Sequence, residues 1–548
     1  MEIPIHLSVI CCCITLSMPA NVIVFTLIYG SHVNTHATIA QILADEGHTV
    51  DLVIPPNAKI PDVLKAADVN VLPLRIRNSS YDFPTERANK LLDYAMSKTL
   101  YQSVVNFLRI MALKDQRLAE MKSSLLNDKE IRNRIVTAHY DVAIVDNLNL
   151  NIYASLPFNR NIPVILVGIL SLDWAISVPS LPSFVPFSLT NFDDKMSFSQ
   201  RFLNTLAYAL VHIICSSNND QVQVSVSNLS RRCSMFFVLD DIAINYPRPK
   251  MPNIINIGDA LVNPSKPLPS DIAEFVESAE HGVILVAFGT FLGNMPPHIT
   301  DKLCSTFKRI PQKVIWRQTI NPLCDASSDN VLILNWLPQN DLLSHSNVKL
   351  FISHSGKNSL LESIYHSTPM IGFPFSRDQP YNAKILEAKR LGYAMNFADF
   401  SADDLVSKIS DILVDQTILY NVRRASFLMR NKTDIPKKRI CYWVEYLAMY
   451  GDNIFKSGAR ELKTSGRVSS FQKEHTSAID DFTANMQARV HDANFTPRRS
   501  RTQLYSSTAS GAHIINRLLY CQHAPESTLC KLLNTVKLDC ILTLTQIR

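Results

Sequence analysis

The chain has 548 residues, 47% of them hydrophobic and 19% charged, with 54 Lys and Arg against 48 Asp and Glu for a net charge of +6. That length exceeds one ordinary core and calls for two large domains plus tails. The charge is small and part of it sits in Pro497–Arg501, which excludes a nucleic-acid-binding class. In chain order, residues 1–16 (MEIPIHLSVICCCITL) form an apolar run followed by Ser17–Ala20, and Ala20 is the expected cleavage position of a signal peptide spanning 1–20, although no Lys or Arg precedes the run. NVIVFTLIY (21–29) is a continuous apolar run, as a buried parallel strand requires. HATIAQILADEG then carries apolar positions at helical spacing with Gly47 placed to end it, and TVDLVIP is a second strand. VNVLPL (69–74), YDVAIVD (140–146) and IPVILVGI (162–169) continue the same sheet.

Residues 246–270 concentrate prolines between two periodic regions and read as an interdomain connection. A second alternating set follows, with strands expected at 282–290, 312–318, 330–336, 348–353 and 369–375. The expected class is therefore α/β, with two doubly wound domains facing each other. From about residue 455 the periodicity fades into a Ser/Thr/Arg-rich stretch that reads as loosely structured. No run beyond residue 440 approaches the roughly 20 apolar residues of a membrane span. Eleven cysteines are scattered without a CxxC pair or Cys/His ligand spacing, so neither a metal site nor a disulfide framework is expected. Four N-x-S/T sequons, at Asn78, Asn228, Asn431 and Asn494, are compatible with a lumenal chain.

The chemistry concentrates in VKLFISHSGKNSLLESIYH (348–366). The strand delivers His354 to the carboxyl edge of the sheet, where ligands of open parallel sheets bind. Ser355–Lys357 make a turn, and Asn358 and Ser359 fall at the start of a helix whose free N–H groups and dipole favour an anion. Gly356 allows close backbone approach, and Glu362, one turn on, suits ribose hydroxyls rather than phosphate. Taken singly, Asn358 or Ser359 is an N-cap, Glu362 a solvated helix face and His354 a rim histidine. In the first domain, His32 follows the first strand at its carboxyl edge and His36 lies a turn further. Asp146 ends its strand at that same edge, whereas Asp141 begins the strand at the opposite end. A histidine suits a general base at neutral pH, and a carboxylate would hold its tautomer.

With NWLPQNDLLSH (335–345) before it and PMIGFPFSRDQPYNA (369–383) after it, the ordered pattern WLPQ…HxG.NS..E…P…G.P…DQ resembles the nucleotide-sugar signature of the UDP-glycosyltransferases, specifically the animal UDP-glucuronosyltransferase type. The likeness covers most of residues 21–450. It implies a GT-B fold, with an N-terminal acceptor-binding domain (21–262), a C-terminal UDP-sugar domain (263–450) and a divergent tail (451–548). It also implies that Trp336 stacks on uracil, that Gln339 bonds the uracil edge and that Thr290, His354, Gly356, Asn358 and Ser359 hold the diphosphate. Glu362 would take the ribose, Asp378 and Gln379 the sugar hydroxyls, and His32 with Asp146 would form the catalytic dyad. No separate cofactor is implied. The donor co-substrate would be UDP-glucuronic acid or UDP-glucose, and the acceptor a small lipophilic molecule.

The resemblance further implies the secretory pathway, the endoplasmic reticulum lumen in particular, with peripheral membrane contact and association with itself or related transferases as open alternatives. A catalytically silent UDP-sugar-binding relative and, behind it, a UDP-sugar epimerase are the rival readings. Ser355 departs from the family at a turn position usually held by a second glycine. Arg377 stands where a small residue is common, and its cation could meet a glucuronate carboxylate or simply Asp378.

Overall fold

The computed structural model describes residues 19–26, 30–54, 68–74, 127–168, 181–188, 190–216, 229–289, 295–318, 330–375 and 377–451, with positions 61, 64 and 125. The leader before Pro19, the tail beyond Gly451, Thr290 and much of the expected acceptor pocket lie outside these residues. Among the described residues, two all-parallel sheets are built from strands β1 (Asn21–Phe25), β2 (Thr49–Ile54), β3 (Val69–Pro73), β4 (Val142–Asp146), β5 (Val164–Gly168), β6 (Met235–Val238), β7 (Ile254–Asn256), β8 (Val283–Ala287), β9 (Lys313–Arg317), β10 (Val331–Leu334), β11 (Val348–Ser353), β12 (Met370–Gly372) and β13 (Gly392–Ala394). The first sheet runs β3-β2-β1-β4-β5-β6-β7 and the second β10-β9-β8-β11-β12-β13.

Both sheets therefore reverse direction at one place, between β1 and β4 in the first and between β8 and β11 in the second. Such reversals open the crevice in which doubly wound folds bind ligands. The central strands β1, β4, β5 and β8 are buried on both faces apart from Asn21. This explains why their sequences are unbroken apolar runs rather than alternations.

The sequence reading placed no strand at β6, β7 or β13. Ile254–Asn256, inside the proline-rich stretch expected to be pure connection, forms the edge strand β7 on β6. Three residues are too short to show any periodicity, and an edge position tolerates the flanking prolines. The C-terminal helix Pro436–Tyr450 follows the second sheet in sequence, but it buries Ile440, Cys441, Val444 and Leu447 in the core of the first sheet, with Val22, Ile42 and Val50.

At the N-terminal edge, Ala20 is only 2% exposed. Its N–H donates to His48 Nδ1 at 3.0 Å and its carbonyl accepts from the Thr49 N–H. Cleavage directly after Ala20 would thus remove a residue of the fold. Asp141 accepts from the Asn21 N–H at 2.8 Å, at the end of the sheet away from the crevice. Cys304 carries a disulfide, a bridge that no cysteine spacing announced. Among the described residues no helix is long and apolar enough to cross a membrane.

Candidate active site

The helix after β1, here α1 (Gly30–Asp45), begins earlier than its apolar spacing predicts, so His32 sits in its first turn rather than in a preceding loop. Gly47, at φ +90°, lets the chain turn after α1 into β2. Asp146 ends β4 and caps the short turn Asn147–Asn149, its Oδ1 accepting from the Leu148 N–H at 2.9 Å. Its other oxygen lies 2.6 Å from His32 Nδ1. Both side chains are buried.

A carboxylate only accepts, so Nδ1 carries the proton and the lone pair rests on Nε2. Burial alone would raise the Asp146 pKa, but the charge and hydrogen bond of His32, with help from His36 and Leu148, hold it below the ordinary carboxylate range. His36 stands one turn on, its Nδ1 bonded to the His32 carbonyl at 2.9 Å and 3.8 Å from Asp146. Burial drives the His36 pKa down, so its neutral form is the one that belongs there.

Across the crevice, β11 ends at Ser353 and the helix α7 (Lys357–Tyr365) opens on Gly356 as N-cap; α2 to α6 are Lys129–Thr137, Phe198–Ser216, Ser270–Glu277, Pro297–Phe307 and Gln339–Ser344. Lys357 is thus already helical rather than part of the turn, and Asn358 and Ser359 are the second and third residues of α7. His354 lies between Gly289 and Gly356: a Cβ on either glycine would come within 2.8 Å and 2.5 Å of the imidazole. The close approach that Gly356 permits is therefore first of all that of the His354 ring, which also stacks on Phe375 with centroids 5.7 Å apart.

Burial pushes the His354 pKa down to about 4, with the Ala287 backbone bond opposing and the Arg317 charge adding. At neutral pH His354 can therefore offer a neutral N–H but no charge. The cation of this corner is Arg317, at the carboxyl end of β9, half-buried and without a hydrogen-bond or ion-pair partner among the described residues. Sequence reading passed over Arg317. The rule that located His32 and Asp146, a polar residue ending a strand at the ligand edge, would have found it too.

Three of the expected nucleotide contacts already touch one another. Gln339, opening α6, donates from Nε2 to Glu362 at 2.6 Å and to Ser359 Oγ at 3.3 Å. Burial pushes the Glu362 carboxyl up to about 7, with the Gln339 bond opposing and Asp341 adding. Trp336, three residues before Gln339, leaves its indole 55% exposed, an unusual state for so large an apolar ring.

Asp378 stands at the N-cap position of α8 (Gln379–Ala388) without a side-chain capping bond and is buried, one oxygen accepting from Asn382 Nδ2 at 2.7 Å. Gln379 Oε1 accepts from the Phe375 N–H at 2.9 Å. Ser355 and Arg377 both adopt left-handed backbone, at φ +60° and +58°. These are conformations that glycine takes freely and that other residues hold at a cost of roughly 1–2 kcal/mol. Thr290 lies outside the described residues.

The reversal point of the first sheet thus carries a buried histidine–aspartate pair, and that of the second carries His354 and the start of α7. The family model for UDP-glucoronosyl and UDP-glucosyl transferases matches residues 20–486. The chain belongs to this UDP-glycosyltransferase family. The match runs past residue 450, where sequence reading placed the end of the likeness. Among curated relatives, UDP-glucuronosyltransferase 1A9 of Mus musculus is 28% identical over 468 residues, covering 83% of this chain and 87% of its own. UDP-glucuronosyltransferase 3A2 of Homo sapiens is 27% identical over 477 residues, covering 82% and 87%. Among solved structures, a UDP-glucosyltransferase from Polygonum tinctorium superposes with a TM-score of 0.55 at 17% identity, covering 79% of this chain and 99% of its own, which establishes the shared GT-B fold. The protein is accordingly a UDP-dependent glycosyltransferase.

Proposed function

We propose that this transferase moves glucuronic acid or glucose from its UDP conjugate to a hydroxyl group of a small lipophilic acceptor, with inversion at the anomeric carbon. The observation that carries the reading is the buried 2.6 Å contact between His32 and Asp146 at the reversal point of the first sheet. Nε2 of His32 takes the acceptor proton as the acceptor oxygen forms its bond to the anomeric carbon. The bond from that carbon to the β-phosphate oxygen breaks on the opposite face, and its electron pair leaves with UDP. General-base catalysis of this kind is typically worth about 10²–10⁴-fold, and Asp146 holds the tautomer of His32 and stabilises the imidazolium.

The leaving diphosphate is received by Asn358, Ser359, the neutral N–H of His354, the α7 N-terminus and Arg317, with Thr290 as a further donor. Trp336 stacks on the base, which is worth about 1–3 kcal/mol. Gln339 bonds the uracil edge, Glu362 the ribose, and Asp378 with Gln379 the sugar. A disulfide at Cys304 favours an oxidising compartment and so supports a lumenal site of action.

The experiment is a screen of purified protein with UDP-glucuronic acid and UDP-glucose against small alcohols and phenols. His32→Ala should abolish turnover while UDP binding by calorimetry stays within about twofold; full activity in that variant would remove His32 from the role.

A further inference from the structure

Among the described residues, α1 and α7 meet in a polar contact that the chemistry above does not use. Asn358 Nδ2, on α7, donates to Thr35 Oγ1, on α1, at 3.2 Å. The Thr35 hydroxyl is oriented from the other side, because its proton goes to the Ser31 carbonyl at 3.1 Å. Its oxygen is thereby left as an acceptor only, and it can receive the Asn358 amide nitrogen but not the amide oxygen. Thr35 is buried, and it lies three residues after His32 on the same helix.

From these contacts we infer that Thr35 is a positioning residue for glycosyl transfer. Through Asn358 it fixes the helix carrying the base against the helix expected to hold the diphosphate. The inference rests on the function proposed above and adds a residue to it.

Two consequences follow from the hydrogen-bond directions. The amide of Asn358 has two N–H groups. Thr35 engages one and so keeps the amide from flipping. The contact also fixes the separation of α1 and α7 one turn from His32, beside the Lys357–Asp240 ion pair at the start of α7. That separation sets how far Nε2 lies from an acceptor poised on the donor sugar, and an error of about 1 Å there costs on the order of a hundredfold in rate. Donor retention does not need Thr35, since the remaining diphosphate groups all belong to the second sheet and its helices.

The test compares Thr35→Val, which keeps shape but removes the acceptor, with Thr35→Ser, which restores it. Thr35→Val is expected to lower kcat about tenfold or more while the KM for UDP-sugar, the Kd for UDP and the melting temperature stay near those of the wild type. Thr35→Ser should recover most of kcat. A wild-type kcat in Thr35→Val, parallel loss of kcat and UDP affinity, or no recovery in Thr35→Ser would overturn the inference.

Hydrogen exchange supplies a readout that needs no turnover: Thr35→Val should speed exchange in residues 30–38 and 357–361, and unchanged exchange there also overturns it. If the wild type itself transfers from no UDP-sugar, the proposed function fails instead, and the exchange result still decides the role of Thr35.

Discussion

Ser355 holds a left-handed backbone inside the core, and its buried hydroxyl has no hydrogen-bond partner among the described residues. Gly372 leaves the room it needs, since a Cβ there would come within 2.1 Å of the Ser355 hydroxyl. Ser355→Gly removes both the strain and the orphan hydroxyl, at the cost of a more flexible unfolded chain. The balance predicts a gain of about 1 kcal/mol in chemical denaturation. Glu362 makes the opposite kind of prediction. Its folded pKa, near 7, exceeds the ordinary 4.5, so between those values the folded state binds more protons than the unfolded one and stability falls as pH rises. Glu362→Gln abolishes that fall, which at about 1.4 kcal/mol per unit over the span from 4.5 to about 7 is on the order of 3 kcal/mol. Melting curves at pH 5 and pH 8 check it: the wild type should lose stability between them, and the variant should lose less.

At the scale of elements, the helix Pro436–Tyr450, α11 once Ala402–Val414 and Gln416–Arg430 are counted as α9 and α10, completes the first sheet. Leu447→Ala empties a buried position in that core and should cost about 2–5 kcal/mol, read as a lower denaturation midpoint. This placement was not legible in the sequence. Apolar spacing reveals that a helix buries a face, but not which sheet receives it. Long central strands were legible because burial on both faces writes itself as an unbroken apolar run. The three-residue strands β7 and β13 were not, having no length in which to show a pattern. The dyad and the α7 corner were readable because strand ends and motif order locate them. Thr35 was not, since a threonine in a helix carries no signal and its partner lies 323 positions away.

Across the whole molecule, the connection between the sheets is held by charge. Asp241 and Asp259, both buried, share the ammonium of Lys432, with Lys432 Nζ 2.5 Å from Asp259 Oδ2. Arg439 reaches Asp259 at 3.1 Å. Asp240 faces the buried ammonium of Lys357 at 3.5 Å, which binds the start of α7 to the same segment. Burial raises the Asp241 pKa against the pull of Lys432, so that aspartate depends on its cation. Lys432→Met would strand the Asp241 carboxylate away from water, while Asp259 keeps Arg439, and should cost about 3–5 kcal/mol. The loss should shrink at acid pH, where Asp241, its pKa already raised by burial, protonates, and urea titrations at pH 5 and pH 7 would show the difference.

The seating of α11 on the first sheet bears on how the protein is made. The chain leaves the ribosome N-terminus first, so β1 to β7 are complete by residue 256, yet the helix that covers part of their apolar surface ends only at residue 450. At roughly 5–20 residues per second, the nascent first domain waits on the order of ten seconds or more with that surface uncovered. During that interval the second domain is synthesised, and the chain must return to where it began before either half is finished. A ribosome that stalls within the second half would therefore leave the first sheet exposed to chaperones rather than folded on its own.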